Sequence, residues 1–236
     1  MAVGKTLVLS VGVLWVTACG GDSTSGGNGG GGGTAVAAYL PLGVGASWVY
    51  RVTDTLTQAV ANKSNSVEAF EDVGGTKVGI QAYRVRTQKL SGETVSWQAP
   101  VNGVIIRYRE QELAAGSGAL EIATDYTPSK LRVDMTAAHT ASGATWNQVY
   151  TEAVTDYRSV AAGATTTSSK TDSWTVLAAA EAVTVPAGTF TCLKLRKTNA
   201  TTGSDKTYWY AADVGKVKEL GGGQTEELVS YTIPAP

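Results

Sequence analysis

The sequence predicts an all-β domain: a strongly curved antiparallel sheet of half-barrel form, with a two-sheet β-sandwich as the alternative. Three observations carry this expectation. Val, Thr, Tyr and Trp dominate beyond residue 35, and almost every patterned segment alternates with period two, as half-buried strands do. Turn signals at Asn102-Gly103, Pro186-Ala187-Gly188 and Asp213-Val214-Gly215 divide these segments. Two segments change their apolar face midway, which a β-bulge produces, and bulges let a large sheet curl.

Taken in order, Trp48, Tyr50 and Val52 share one face of a first strand, after the turn-like stretch 40–45. Residues 66–73 are available to pair with it. In 76–87, Val78, Ile80 and Ala82 fall on one face while Tyr83 and Val85 continue on the other, the first change of face. A hairpin follows over 94–101 and 104–112, because Asn102-Gly103 supplies the positive backbone angles of a type I′ turn. Its second arm places Val104, Ile106 and Tyr108 inward and turns Arg107 and Arg109 to solvent.

Leu131, Val133 and Met135 alternate with Lys130, Arg132 and Asp134 in a further strand, and 136–144 reads as a loop holding His139, the single histidine. Longer strands over 146–160 and 173–185 flank a Ser/Thr/Gly-rich loop at 161–169, with 178–182 open to one helical turn. In 189–198 the apolar residues switch from Phe190 and Cys192 to Leu193 and Leu195, the second change of face. Strands over 206–211, 216–220 and 226–233 complete roughly a dozen.

Upstream of this domain the chain has a different character. Residues 1–18 carry Lys5, an apolar run over 6–16 and the small pair Thr17-Ala18, the layout of a secretory signal. The run is roughly half the 20 or so apolar residues that a permanent span needs. Val16-Thr17-Ala18-Cys19 resembles a bacterial lipoprotein signal. That resemblance implies cleavage between Ala18 and Cys19, diacylglycerol on the Cys19 thiol and an acylated new amino terminus. Gly20 stands where an Asp would resemble the signal for inner-membrane retention, so the outer membrane is the expected location.

Residues 19–35 form a lipidated, glycine-rich tether with a random-coil reach of about 20 Å, and 36–236 forms one β-rich domain. The Gly run lacks the preceding strand and following Lys-Ser/Thr of a phosphate loop.

Removing Lys5 with the signal leaves 18 basic residues against 20 acidic ones, which offers no electrostatic footprint for nucleic acid. Lipidation of Cys19 leaves Cys192 without a disulfide partner, and its spacing from Phe190 suits a buried thiol. The chain carries none of the familiar hydrolase, metalloprotease, redox or calcium-loop spacings. No catalytic residue, metal or cofactor is therefore expected. A Ser-His-Asp arrangement would have to draw on His139 with Asp134 or Ser142. Glu226-Glu227 are adjacent on a strand and point to opposite faces.

Three patterns occur together: Tyr39-x-Pro41-Leu42-x-x-Gly45-x-x-Trp48-x-Tyr50, Val185-Pro186-Ala187-Gly188-x-Phe190, and Trp209-Tyr210-Ala211-x-x-Val214-Gly215-x-Val217-Lys218. They resemble a loose group of bacterial envelope lipoproteins associated with the curved antiparallel sheets of the lipoprotein carrier and receptor proteins LolA and LolB. What the resemblance implies is a fold; it brings no catalytic residues.

The aromatic character suits a partly wet pocket, since rings with a polar tip favour such places. The expectation is a non-enzymatic, membrane-anchored binding module for an apolar molecule or lipid, lined by Trp48, Trp97 and Trp209. The alternative is a structural or assembly lipoprotein that contacts an envelope protein complex.

Overall fold

Beyond residue 37 the chain forms one continuous antiparallel sheet rolled shut. A computed structural model describes residues 38–158 and 163–235. The signal, Ala18, Cys19 and the tether lie outside the described residues.

Twelve strands follow one another around the barrel: β1 Ser47–Asp54, β2 Val60–Asp72, β3 Gln81–Lys89, β4 Gly92–Val101, β5 Val104–Leu113, β6 Leu120–Asp134, β7 Thr145–Asp156, β8 Ala164–Val185, β9 Gly188–Asn199, β10 Ser204–Ala211, β11 Gly215–Gly221 and β12 Gln224–Thr232. Each pairs with its sequence neighbours, and β1 pairs with β12 from Ser47↔Thr232 to Asp54↔Gln224. The all-β, strongly curved antiparallel sheet is as expected, and its curvature goes further than a half-barrel: it closes into an up-and-down barrel, not a sandwich. Pairing β1 with β12 satisfies the two edges that a half-barrel would leave open.

The Asn102-Gly103 turn is as expected, with φ of 51° and 80°. The two anticipated changes of face have other causes. Around residues 76–80 the chain is not yet a strand: a 3-10 turn at Gly75–Lys77 precedes β3, and the register shift lies on β2 between Val67 and Ala69. In β9, Cys192 and Leu193 are both fully buried because each face is covered, and the register shifts lie on β8 between Val176 and Glu181. The stretch expected as a loop is strand from Ala164 onward, and 178–182 is strand rather than helix.

The two ends of the barrel differ. At one end the three sequence patterns converge. Trp48 donates its indole N–H to the Val214 carbonyl at 2.6 Å. Asp213 N–H donates to Ala38 O at 2.9 Å, and Ala38 N–H donates to Asp213 Oδ1 at 3.0 Å, so the entering chain is pinned across the barrel end. Leu40 and Leu42 then pack on a cluster that includes Trp174, Leu193, Leu195 and Tyr208. The β11–β12 ladder stops at Lys218↔Glu227, and beyond it Ala187 N–H, from the β8–β9 turn, donates to Leu228 O at 3.0 Å. This end is closed by apolar packing.

The other end is open. Its turns carry Leu56 and Leu90, 90% and 88% exposed. A barrel of eight strands is just filled by its own side chains, whereas twelve leave room inside.

Candidate functional site

The interior holds a large cavity, of about 780 Å3, running from a floor of Leu40, Leu42 and Trp48 to the rim at Lys89 and Leu90. That volume lies within the range of small-molecule sites, about 300–1,000 Å3. Period-two alternation positions its wall: Trp48, Tyr50 and Val52 on β1, Val85, Thr87 and Lys89 on β3, and Tyr208 and Tyr210 on β10 all line it.

Halfway along, the wall is charged. Lys206 Nζ donates to Glu219 at 2.7 Å, Glu219 also accepts from Lys216, and Lys216 Nζ reaches Glu226 at 2.6 Å. Glu226 accepts in turn from Lys63 Nζ at 2.7 and 2.8 Å. The result is an unbroken chain of three ammoniums and two carboxylates across four strands.

Burial raises the Glu219 carboxyl, but Lys216 and Lys206 outweigh it and hold the group well below the usual carboxylate range. Glu226 is likewise held down, mainly by Lys216 against its own burial. Lys216 sits between both carboxylates, and they keep its ammonium charged despite complete burial. Lys63, at the end of the chain, is pushed down to about 8 by burial and by Lys216. Tyr50 closes the network beneath, donating its hydroxyl to Lys216 O at 3.0 Å.

The sequence reading turned Arg107 to solvent; the barrel turns it inward. Arg107 lines the cavity, paired with Glu110, while Ile105 is the buried neighbour on its strand. A lumen wide enough to stay wet reverses the usual assignment of polar residues to the outside. Arg109 is not turned to solvent either: its side chain is 12% exposed, covered by the segment at Gly75 and lying against the Trp97 ring at 6.0 Å from its centroid.

Of the three tryptophans expected to line a pocket, Trp48 does so, 2% exposed in the cavity floor. Trp97 and Trp209 lie elsewhere. Trp97 packs in a separate cluster with Val73, Ala82, Val95 and Ala99, its indole donating to Glu71 at 3.1 Å. Trp209 alternates with the lumenal Tyr208 and Tyr210, so its ring faces the other way; it donates to Glu181 at 2.8 Å and is flanked by Lys194 and Lys218.

Lys63, Lys216 and Glu219, which no sequence pattern marks as site residues, line the cavity instead, together with Arg132 and Glu226. The Glu226-Glu227 pair does split: Glu226 enters the lumenal chain, and Glu227 accepts from Arg51 outside at 2.6 Å.

His139 lies at the closed end. Its Nδ1 is 2.6 Å from Asp134 Oδ2, and its ring lies on Trp146 with centroids 4.1 Å apart. Asp134 Oδ1 also accepts from the Thr136 N–H and hydroxyl. The pair is tied into its loop and stacked on a strand residue. Cys192 is fully buried, its thiol pushed up to about 11 by burial. Among the described residues no group of three or more His, Cys, Asp or Glu could hold a metal ion.

The outer wall bears ion pairs, Arg51–Glu227 at 2.6 Å and Arg86–Glu68 at 2.5 Å in mid-strand and Arg196–Asp205 at 2.5 Å near the β9–β10 turn. A lipid-facing barrel wall carries an apolar band about 25 Å tall, where such charges are costly. The fold and site thus define a water-facing up-and-down barrel with one closed end and a polar, charged lumen.

Residues 143–233, spanning β7 to β12, match the DUF3108-like family. No curated protein matches the sequence. Two solved structures are similar in fold. One, described as a candidate exported protein with a YmcC-like fold from Bacteroides fragilis, is 11% identical with a TM-score of 0.49; the other, described as a candidate lipoprotein from Parabacteroides distasonis, is 13% identical with a TM-score of 0.40. Each alignment covers 84% of this chain and 100% of the other.

Proposed function

We propose that the chain is a lipid-anchored envelope lipoprotein whose barrel binds a small amphiphile in its lumen, without catalysis. The cavity carries the reading: about 780 Å3, floored by apolar and aromatic side chains, walled by charge and open at one end only. A purely apolar ligand would leave the Lys63–Glu226–Lys216–Glu219–Lys206 chain desolvated, so a molecule with both apolar and polar parts fits better. The anchor rests on Val16-Thr17-Ala18-Cys19, and the outer membrane on Gly20 following the cysteine.

Two experiments test the two halves. Cys19→Ala should move the protein from the membrane to the soluble fraction, and unchanged sedimentation with membranes would overturn the anchor. For the lumen, the full chain extracted from membranes should either carry a co-purifying amphiphile, seen by mass spectrometry, or bind an added decyl amphiphile, neutral or anionic. Failure of both would overturn the binding reading.

A further inference from the structure

Six cations line the cavity: Lys63, Lys89, Arg107, Arg132, Lys206 and Lys216. The lysines 63, 206 and 216 are threaded on Glu219 and Glu226, and Arg107 is paired with Glu110. Lys89 stands at the exposed rim. Arg132 differs from the others: it reaches into the lumen and meets no carboxylate within ion-pair distance among the described residues, and its Nε–H is buried without an acceptor.

The backbone places it there. Ile106 faces Leu131 and Ile105 faces Val133 across the β5–β6 ladder, so Arg132 is the extra residue of a bulge. Bulges redirect a side chain and recur beside functional sites.

A second unmade bond lies nearby. Gln98 on β4 faces Arg107 on β5, which faces Lys130 on β6, two residues before Arg132. Gln98 and Arg132 thus flank Arg107 at adjoining levels, about 10 Å apart by strand spacing. Gln98 is 3% exposed and lines the cavity; its amide N–H donates to Ser96 Oγ at 2.9 Å, and its Oε1 has no partner. The Arg107 Nε–H is also buried without an acceptor. Two guanidinium donors and one amide acceptor therefore converge on one side of the lumen with their hydrogen bonds unmade. A guanidinium is always charged, and its planar fork matches a carboxylate or phosphate.

We infer that the lumenal ligand is an anionic amphiphile whose carboxylate or phosphate head binds Arg132, helped by the Arg107 Nε–H, and whose hydroxyl or amide N–H satisfies Gln98. This rests on the lumen being the binding site and adds the chemistry of the head group.

The test titrates the full chain, extracted in a nonionic detergent, with decanoate, decyl phosphate, decanol and inorganic phosphate. The wild type should bind decanoate or decyl phosphate more tightly than decanol, and the tighter of the two identifies the head. Inorganic phosphate binding as tightly as decyl phosphate would point instead to a free anion and overturn the amphiphile. Arg132→Gln should weaken the anionic probes about tenfold to hundredfold and leave decanol unchanged.

Arg132→Lys, which keeps the charge and loses the fork, should fall between; it carries the comparison if the glutamine variant does not fold. Equal affinity for decanol and both decyl anions, or unaltered anion binding in the variants, would overturn the head-group assignment while the binding reading survives. Binding of no decyl probe, charged or neutral, by protein that also carries no co-purifying amphiphile would overturn both; a co-purifying amphiphile with an uncharged head would overturn the head-group assignment alone.

Discussion

Trp48 and Gly215 touch across the closed end of the barrel: a Cβ built on Gly215 would stand 3.0 Å from Trp48 Nε1 and 3.7 Å from Pro41 Cδ. Gly215 also has φ of 109°, a backbone conformation that side chains with a Cβ rarely adopt. The indole, its acceptor Val214 and the segment before β1 therefore interlock where the first and last thirds of the chain meet.

Gly215→Ala should lower stability by about 1–3 kcal/mol, since it adds strain and crowding at once. Trp48→Phe, which leaves the Val214 carbonyl without its donor, should lower it by about 1–3 kcal/mol. Chemical denaturation measures both; an unchanged midpoint for Gly215→Ala would show that the closed end yields more readily than its packing implies.

The lumenal charge chain sets an acid limit. Glu219 and Glu226 have folded-state pKa values below their ordinary 4.5. Below that pH the unfolded chain binds more protons than the folded one, so their contribution is complete above about pH 4.5 and lost as pH falls further. Urea midpoints should hold steady from about pH 7 to 5 and then drop, and Glu219→Gln should make the drop shallower. At neutral pH the same variant leaves Lys206 without its carboxylate and Lys216 with Glu226 alone, and should cost about 1–3 kcal/mol. An acid limb as steep as that of the wild type would argue against this assignment.

Ligand entry should be visible in one tryptophan. Trp48 lines the cavity, whereas Trp97 and Trp209 do not. Trp48→Phe should abolish the fluorescence change on adding a decyl probe, and Trp97→Phe should leave it. The opposite pattern would place the ligand outside the lumen.

Cys192 should behave as core. With its thiol pushed up to about 11 and no exposed surface, it should resist maleimide at about pH 8 in the folded protein and react once unfolded. Rapid labelling of the native state would contradict the burial.

Most strands, the Asn102-Gly103 turn and the burial of Cys192 are legible in the sequence, because period-two alternation and turn chemistry are local properties; the start of β8 from Ala164 is not, because its polar residues are exposed on both faces and show no alternation. Closure was not, since the Trp48↔Tyr231 pairing joins residues at opposite ends of the domain and leaves no local mark. The site was less legible still. Lys63 lies between Asn62 and Ser64 and Glu226 between Thr225 and Glu227, while Lys216 and Glu219 precede Val217 and Leu220, so nothing local separates the four from a solvated face, and only the barrel decides which face is the lumen. Arg132 was hidden by its bulge, because strict alternation sets it opposite Leu131 and Val133 without saying which way the extra residue points.

The β1–β12 pairing also sets the order of assembly. Its partners lie at the two ends of the domain, so the first strand must wait for the last before its edge is covered. Until then β1 offers unpaired backbone groups to any other strand within reach. A seam closed by such distant partners makes folding slow relative to local pairing. A truncation that removes β12 should therefore leave a sheet with two sticky edges rather than a smaller barrel.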